Sequence, residues 1–155
     1  MRAGNKSYER RADVPVGVPV FPLTGALLLP GVQMPLTIFE PRYVAMIDAA
    51  LRADRVIGMV QPRFDDGIDE SDDNPPICEV GCLGRISAFQ EIGDGRYLIT
   101  LSGITRFHIE EELTTTTPFR MCRISTDTYA RDLGMARGED GVDRDAVIKA
   151  FRDYL

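Results

Sequence analysis

Between residues 16 and 43, VGVPVFPLTGALLLPGVQMPLTIFEPRY, three short apolar runs are cut apart by Pro22, Pro30-Gly31 and Pro35. Proline lacks an N–H and fixes φ, so it marks strand ends, edges and bulges rather than central positions. The pattern predicts strands over residues 18–23, 27–29 and 34–39, arranged as a kinked ribbon. Pro41 then suits the first turn of a helix. Tyr43, Met46, Ile47, Ala50 and Leu51 follow at i, i+3, i+4, i+7 and i+8, one face of a helix that ends near Asp54.

Beyond the helix, RVIGMVQ (55–61) reads as a buried strand and 63–76 as a polar loop. Residues 77–92 read as one long strand in which Gly81 and Gly84 permit a bend. Gly93-Asp94-Gly95 is a hairpin signal, because glycine takes φ > 0 without steric cost. Strands over 96–102 and 106–113 are expected around a turn at Gly103, with further β structure over 119–129. Gly134, Gly138 and Gly141 mark a polar linker. Val147, Ile148, Phe151, Tyr154 and Leu155 then outline a second amphipathic helix without a glycine or asparagine cap. Its apolar face needs a partner: the rest of the domain, a second copy of the chain, or further helices of a longer natural protein. The expected layout is a mobile, slightly basic lead-in over 1–13, a β domain over 14–130, and a linker and helix over 131–155. The class is α+β, mainly β.

At 155 residues and 44% apolar content the chain suits one globular domain. No apolar run approaches the roughly 20 residues of a membrane span, and MRAGNKSYERRADVP has no apolar segment of the secretory kind. A cytoplasmic protein with no membrane partner is expected. The net charge of −6 is concentrated: Asp65, Asp66, Asp69, Glu70, Asp72 and Asp73 account for all of it, and without them 18 acidic residues face 18 basic ones. No clustered basic face is evident, which argues against nucleic acid as a partner. Cys78, Cys82 and Cys122 are odd in number and lack paired zinc spacing, so free, mostly buried thiols are expected.

The chemistry-bearing residues form no recognisable catalytic set. There is no G-x-x-x-x-G-K-[ST] phosphate cradle, and the two lysines, Lys6 and Lys149, fall where nothing would desolvate them into a general base. His108 is the only histidine, and strand alternation turns it outward while Phe107 and Ile109 turn inward. Cys78 and Cys82 lie about 13 Å apart along an unbent strand, too far to share one zinc ion. DDGIDESDDN lacks the spacing of a calcium loop and reads as a solvated anionic rim. No cofactor or metal is expected, and no enzymatic activity.

The segments VPVFPLTGALLLPGVQMPLTIFEPRYVAMI and VGCLGRISAFQEIGDGRYLITLSGITRFHI together resemble the Lon N-terminal domain family, the substrate-recognition region of ATP-dependent Lon proteases. They resemble still more the small stand-alone bacterial proteins built from that domain. Cys82 stands where the family commonly has threonine. The resemblance covers about residues 14–129. It implies a PUA-like, bent β-barrel with one inserted helix, usually followed by a helical bundle, and a module that helps bind unfolded protein without cleaving it. On this footing the expected partners are unfolded or flexible protein segments, with a homo-oligomer through the C-terminal helix as a further expectation. Phe39, Arg42, Tyr43, Met46, Phe64 and Arg106 are the candidate protein-binding residues, although helical spacing also makes Tyr43 and Met46 core positions. Strand addition at an exposed sheet edge is a second mode of capture. The alternatives are a nucleic-acid-binding module, by analogy with PUA domains, and a structural adaptor or oligomerisation domain.

Overall fold

Alternation along the strands sends side chains to two apolar clusters on opposite faces of one sheet. In the computed structural model, residues 1–63 and 74–134 are described, together with Ile148, Lys149 and Arg152. The elements in order are β1 (Arg2–Ala3), β2 (Lys6–Ser7), β3 (Gly17–Pro22), β4 (Gln33–Ile38), α1 (Pro41–Leu51), β5 (Val56–Val60), β6 (Val80–Ile92), β7 (Arg96–Leu113), β8 (Arg120–Ser125) and α2 (Ala130–Leu133). The main sheet runs β4-β7-β6-β5-β3-β8, and β8 pairs in turn with β7, so five strands close on themselves while β4 is left as an edge. Only the β3–β5 pairing in this sheet is parallel, because β4 and α1 intervene and carry the chain back to the same end. The class is α+β and mainly β, as expected.

One cluster draws on all five ring strands. Val18 and Val20 (β3), Val56 and Val60 (β5), Leu83 (β6), Ile104 and Phe107 (β7), and Cys122 and Ile124 (β8) meet inside it. The other lies on the opposite face, where Tyr43, Met46, Ile47 and Ala50 of α1 pack on Phe21, Ile57, Met59, Ile86, Ile99 and Leu101. β5 contributes to both, and all five of its residues are buried. Burial of each large apolar side chain is worth about 1.5–3 kcal/mol, so the two clusters are the principal source of stability.

Long-range packing changes three of the expectations. The 1–13 lead-in is no mobile tail: β1 and β2 form a hairpin that buries Ala3 and Tyr8 in the ring cluster. The Met1 amine nitrogen donates to the carbonyls of Tyr8 (2.9 Å) and Leu133 (2.5 Å), tying the hairpin to α2. The expected strand at 27–29 is not formed; Leu28 instead inserts into the α1-side cluster from a loop. Gly103 is not a turn. β7 continues through it for 18 residues, and the Leu29–Val32 loop presses on it through Gly31 N–H to Gly103 O (3.0 Å) and Gly103 N–H to Val32 O (2.8 Å). A Cβ there would collide with the Leu29 carbonyl, so glycine is required by close approach rather than by bending.

Other expectations hold with small shifts. The helix over the expected face is α1, ending at Leu51 rather than Asp54. β6 starts at Val80 and carries register shifts at Leu83/Gly84 and Ile86/Ala88. Residues 93–95 make the hairpin, with Asp94 and Gly95 at φ 68° and 71°. The last β segment stops at Ser125, and Asp127–Tyr129 and α2 turn back onto β7, so packed structure runs past residue 130. Of the expected C-terminal helix only Ile148, Lys149 and Arg152 are described, all helical and exposed, and the carboxylate-rich loop lies outside the described residues.

Candidate functional site

The most apolar opening among the described cavities lies along one side of α1. Ala49 near the end of α1 and Ala53 in the turn just beyond it are four positions apart and leave a strip without bulk there. Opposite stand Gly17, Val18 and Pro19 of β3, and beyond them Thr115, Thr117, Phe119 and Met121, which lead into and begin β8. Small residues on helix and strand leave a cavity of about 340 Å³, walled by Ala49, Ala53, Pro19, Phe119 and Met121. Phe119 is shared with a second recess of about 210 Å³ lined by Val20, Pro22, Arg42, Tyr43, Pro118 and Arg120. The two recesses, which share Phe119, line the side of α1 from Arg42 to Asp54 as a groove in two parts.

Aromatic stacking sets the Arg42 end. The Tyr43 ring lies 4.3 Å from that of Phe21 at 8° between planes, and the Arg42 guanidinium sits 4.6 Å from its centroid on another approach. Arg42 Nε also donates to Glu40 Oε2 at 3.1 Å. Arg120 is held by Glu112 (2.5 Å) and by the Pro75 carbonyl (2.6 Å). These arginines are therefore fixed in place as walls of the groove.

Of the six candidate residues, the fold brings Arg42 and Tyr43 to this groove. Met46 is fully buried beneath it and cannot be reached from solvent. Phe39 is 65% exposed between β4 and α1 and is not part of the groove lining. Phe64 lies outside the described residues. Arg106 is elsewhere and committed: Asp132 accepts from its backbone N–H, its Nε and its Nη2, each at 2.9 Å, while its guanidinium stacks 4.6 Å from the Tyr129 ring. Burial works to raise the Asp132 carboxyl, but the Arg106 hydrogen bonds outweigh it and hold the group below its usual range. Arg106 thus fastens α2 to β7. Ala49, Ala53, Asp54, Phe119 and Met121 were not singled out from sequence; the spacing of Ala49 and Ala53 was the available signal.

Among the described residues the groove has no nucleophile–base pair: the described lining contains no histidine, cysteine or lysine, and its hydroxyls belong to Thr115, Thr117 and Tyr43. His108 faces Glu79 at 3.5 Å on the surface. Cys82 and Cys122 lie in opposite clusters, and burial pushes their thiols up to about 12 and about 11, which keeps both protonated and unreactive. Among the described residues no group of three or more histidines, cysteines or carboxylates is arranged to hold a metal ion. No described helix is long and apolar enough to cross a membrane. A wider recess of about 500 Å³ near Val16 is lined by four charged residues, of which Arg11 pairs with Asp127 and Arg123 with Glu111 beyond the lining.

The family described as the ATP-dependent protease La (LON) substrate-binding domain matches residues 17–153. Lon protease 2 of Myxococcus xanthus is 28% identical over 114 residues, which are 74% of this chain and 13% of that protein. The Lon protease of Flavobacterium johnsoniae is 30% identical over 99 residues, 64% of this chain and 12% of that protein. The chain therefore spans about an eighth of the length of these relatives. Among solved structures, the Lon N-terminal domain protein from Xanthomonas campestris superposes with a TM-score of 0.54 at 27% identity, covering 70% of this chain and 58% of that one. The N-terminal domain of the Mycobacterium avium complex Lon protease shares the fold, with a TM-score of 0.51 at 21% identity over 71% of this chain and 54% of that one. With the family match extending over most of its length, the chain belongs to the LON substrate-binding domain family.

Proposed function

We propose that the protein is a non-catalytic module that binds exposed apolar segments of unfolded or flexible polypeptides, and that the groove beside α1 is where it holds them. The observation that carries this reading is the apolar cavity of about 340 Å³ walled by Ala49, Ala53, Phe119 and Met121 on a rigid sheet-and-helix frame. A cavity of that size takes one large apolar side chain. Met121 adds a side chain that adapts its shape to different occupants. Family membership supports a substrate-binding role of this kind.

Strand addition is the weaker mode here. β4 is the edge of the sheet, yet Pro35 lies in the middle of it while its register with β7 runs unbroken from Gln33 to Ile38. A proline keeps such a ladder when its nitrogen faces the free edge, so the edge lacks a donor at its centre. Side-chain capture in the groove therefore carries recognition.

Titration of a permanently unfolded, fluorescently labelled model protein tests the reading. Saturable binding at micromolar concentration is expected, and the same protein in its folded state should not compete. Absence of binding up to several hundred micromolar contradicts it.

A further inference from the structure

Asp54 is the single charged residue in the lining of the apolar cavity. Among the described residues no side chain hydrogen-bonds or ion-pairs with its carboxylate; it is exposed, and its charge acts on the Tyr8 hydroxyl across a polar recess that it shares with Lys6 and Asp13. The neighbouring charges are differently placed. Asp13 accepts from the backbone N–H groups of Glu9 and Arg10, each at 2.9 Å. The Lys6 ammonium sits 5.2 Å from the Tyr8 ring. Arg52 turns back along α1, its Nε donating to the Asp48 carbonyl at 3.3 Å. α1 ends three residues before Asp54, so the negative end of its dipole adds to the carboxylate's field. A low-dielectric wall on one side of an unengaged carboxylate strengthens its attraction for a cation that arrives with an apolar group.

Resting on the proposed polypeptide-binding role, we infer that this site selects segments in which a large apolar side chain is flanked by lysine or arginine, the apolar group filling the cavity and the cation pairing with Asp54. An acidic flank is repelled. The module is then selective by charge as well as by hydrophobicity, and it favours the basic-apolar stretches that folded proteins bury or cover. Asp54 acts as a specificity residue, while the cavity supplies most of the affinity.

Three labelled peptides of one length decide it, each N-acetylated and C-amidated and carrying the same Leu-Phe pair, flanked by lysines, glutamines or glutamates. Wild type should bind the lysine-flanked peptide about three- to fivefold more tightly than the glutamine-flanked one, the glutamate-flanked peptide more weakly still, and the spread should narrow in 0.5 M salt. Asp54→Lys, at an exposed position, should reverse the order without changing the melting temperature. Ala53→Trp, which fills the cavity, should weaken all three peptides together. Equal affinities for the three peptides, an order unchanged by Asp54→Lys, or binding untouched by Ala53→Trp each overturn the inference while leaving polypeptide binding in place. Failure of every peptide to bind overturns both.

Discussion

The two faces of the central sheet are built from similar apolar residues but finished differently. Inside the ring, Phe107 fills the centre so tightly that a Cβ on Gly58 or Gly81 would press on its ring. The ring is then covered by the β1–β2 hairpin, through Ala3 and Tyr8, and by α2, through Leu133 and the Arg106–Asp132 pair. On the opposite face α1 covers the sheet, but Ala49, Ala53 and Gly17 stop short of filling the space beside it. The interior of a protein ordinarily packs to near-crystalline density, so a persistent gap lined by small residues is informative. One face is closed over, and beside the helix on the other a recess stays open.

The strongest break to that comparison is Phe107→Ala, which removes the ring's central side chain and should cost about 3–5 kcal/mol in chemical denaturation, a large share of a typical domain's stability. Next is Gly103→Ala, which forces a Cβ against the Leu29 carbonyl and should cost about 1–3 kcal/mol by the same measurement. If Gly103 were a simple turn glycine at negative φ, alanine would be tolerated. Asp132→Asn loosens α2 from β7 and should cost about 1–2 kcal/mol, toward the low end because the Arg106 side chain is half exposed. Its pH dependence has a definite sign. The Asp132 carboxyl lies below its usual range, so its contribution is present above about pH 4 and is lost as pH falls through the lowered value. Wild type and Asp132→Asn should therefore converge in stability as pH falls below about 4. A gap that does not narrow at all as the solution is acidified would show that the pair does not act through charge. The smallest effect concerns thiols: a disulfide reagent at pH 8 should modify the partly exposed Cys78 readily and leave Cys82 and Cys122 untouched until denaturant is added.

Much of the α1 face was legible because it depends on local periodicity. Tyr43, Met46, Ile47 and Ala50 are buried where a 3.6-residue repeat puts them, and Asp94-Gly95 turns the hairpin because only local φ angles are involved. The misread residues answer to distant ones. Tyr8 is a lone aromatic in a polar segment, and only the open end of the ring gives it a place to be buried. Gly103 is fixed by a loop more than 70 positions earlier in the chain, which no window of sequence contains. Leu28 lies in an apolar run that resembles a strand, yet Pro30-Gly31 and the contact with Gly103 hold that run as a plug. Arg106 was a reasonable binding candidate beside apolar neighbours, but Asp132, 26 residues on, claims it. Of the residues that line the recesses beside α1, Arg42 and Tyr43 stand out in the sequence and the alanines do not, because absence of side chain leaves a weak mark there.

The most direct test of an open face against a closed one is backbone amide chemical-shift mapping with an uncharged Leu-Phe peptide. Shifts concentrated at Ala49, Ala53, Phe119 and Met121, with the amides of Leu83, Ile104 and Phe107 changing least, are the expected result. Shifts gathered instead around Phe89 and Leu98 on the β6–β7 hairpin, or spread evenly over the surface, would contradict it.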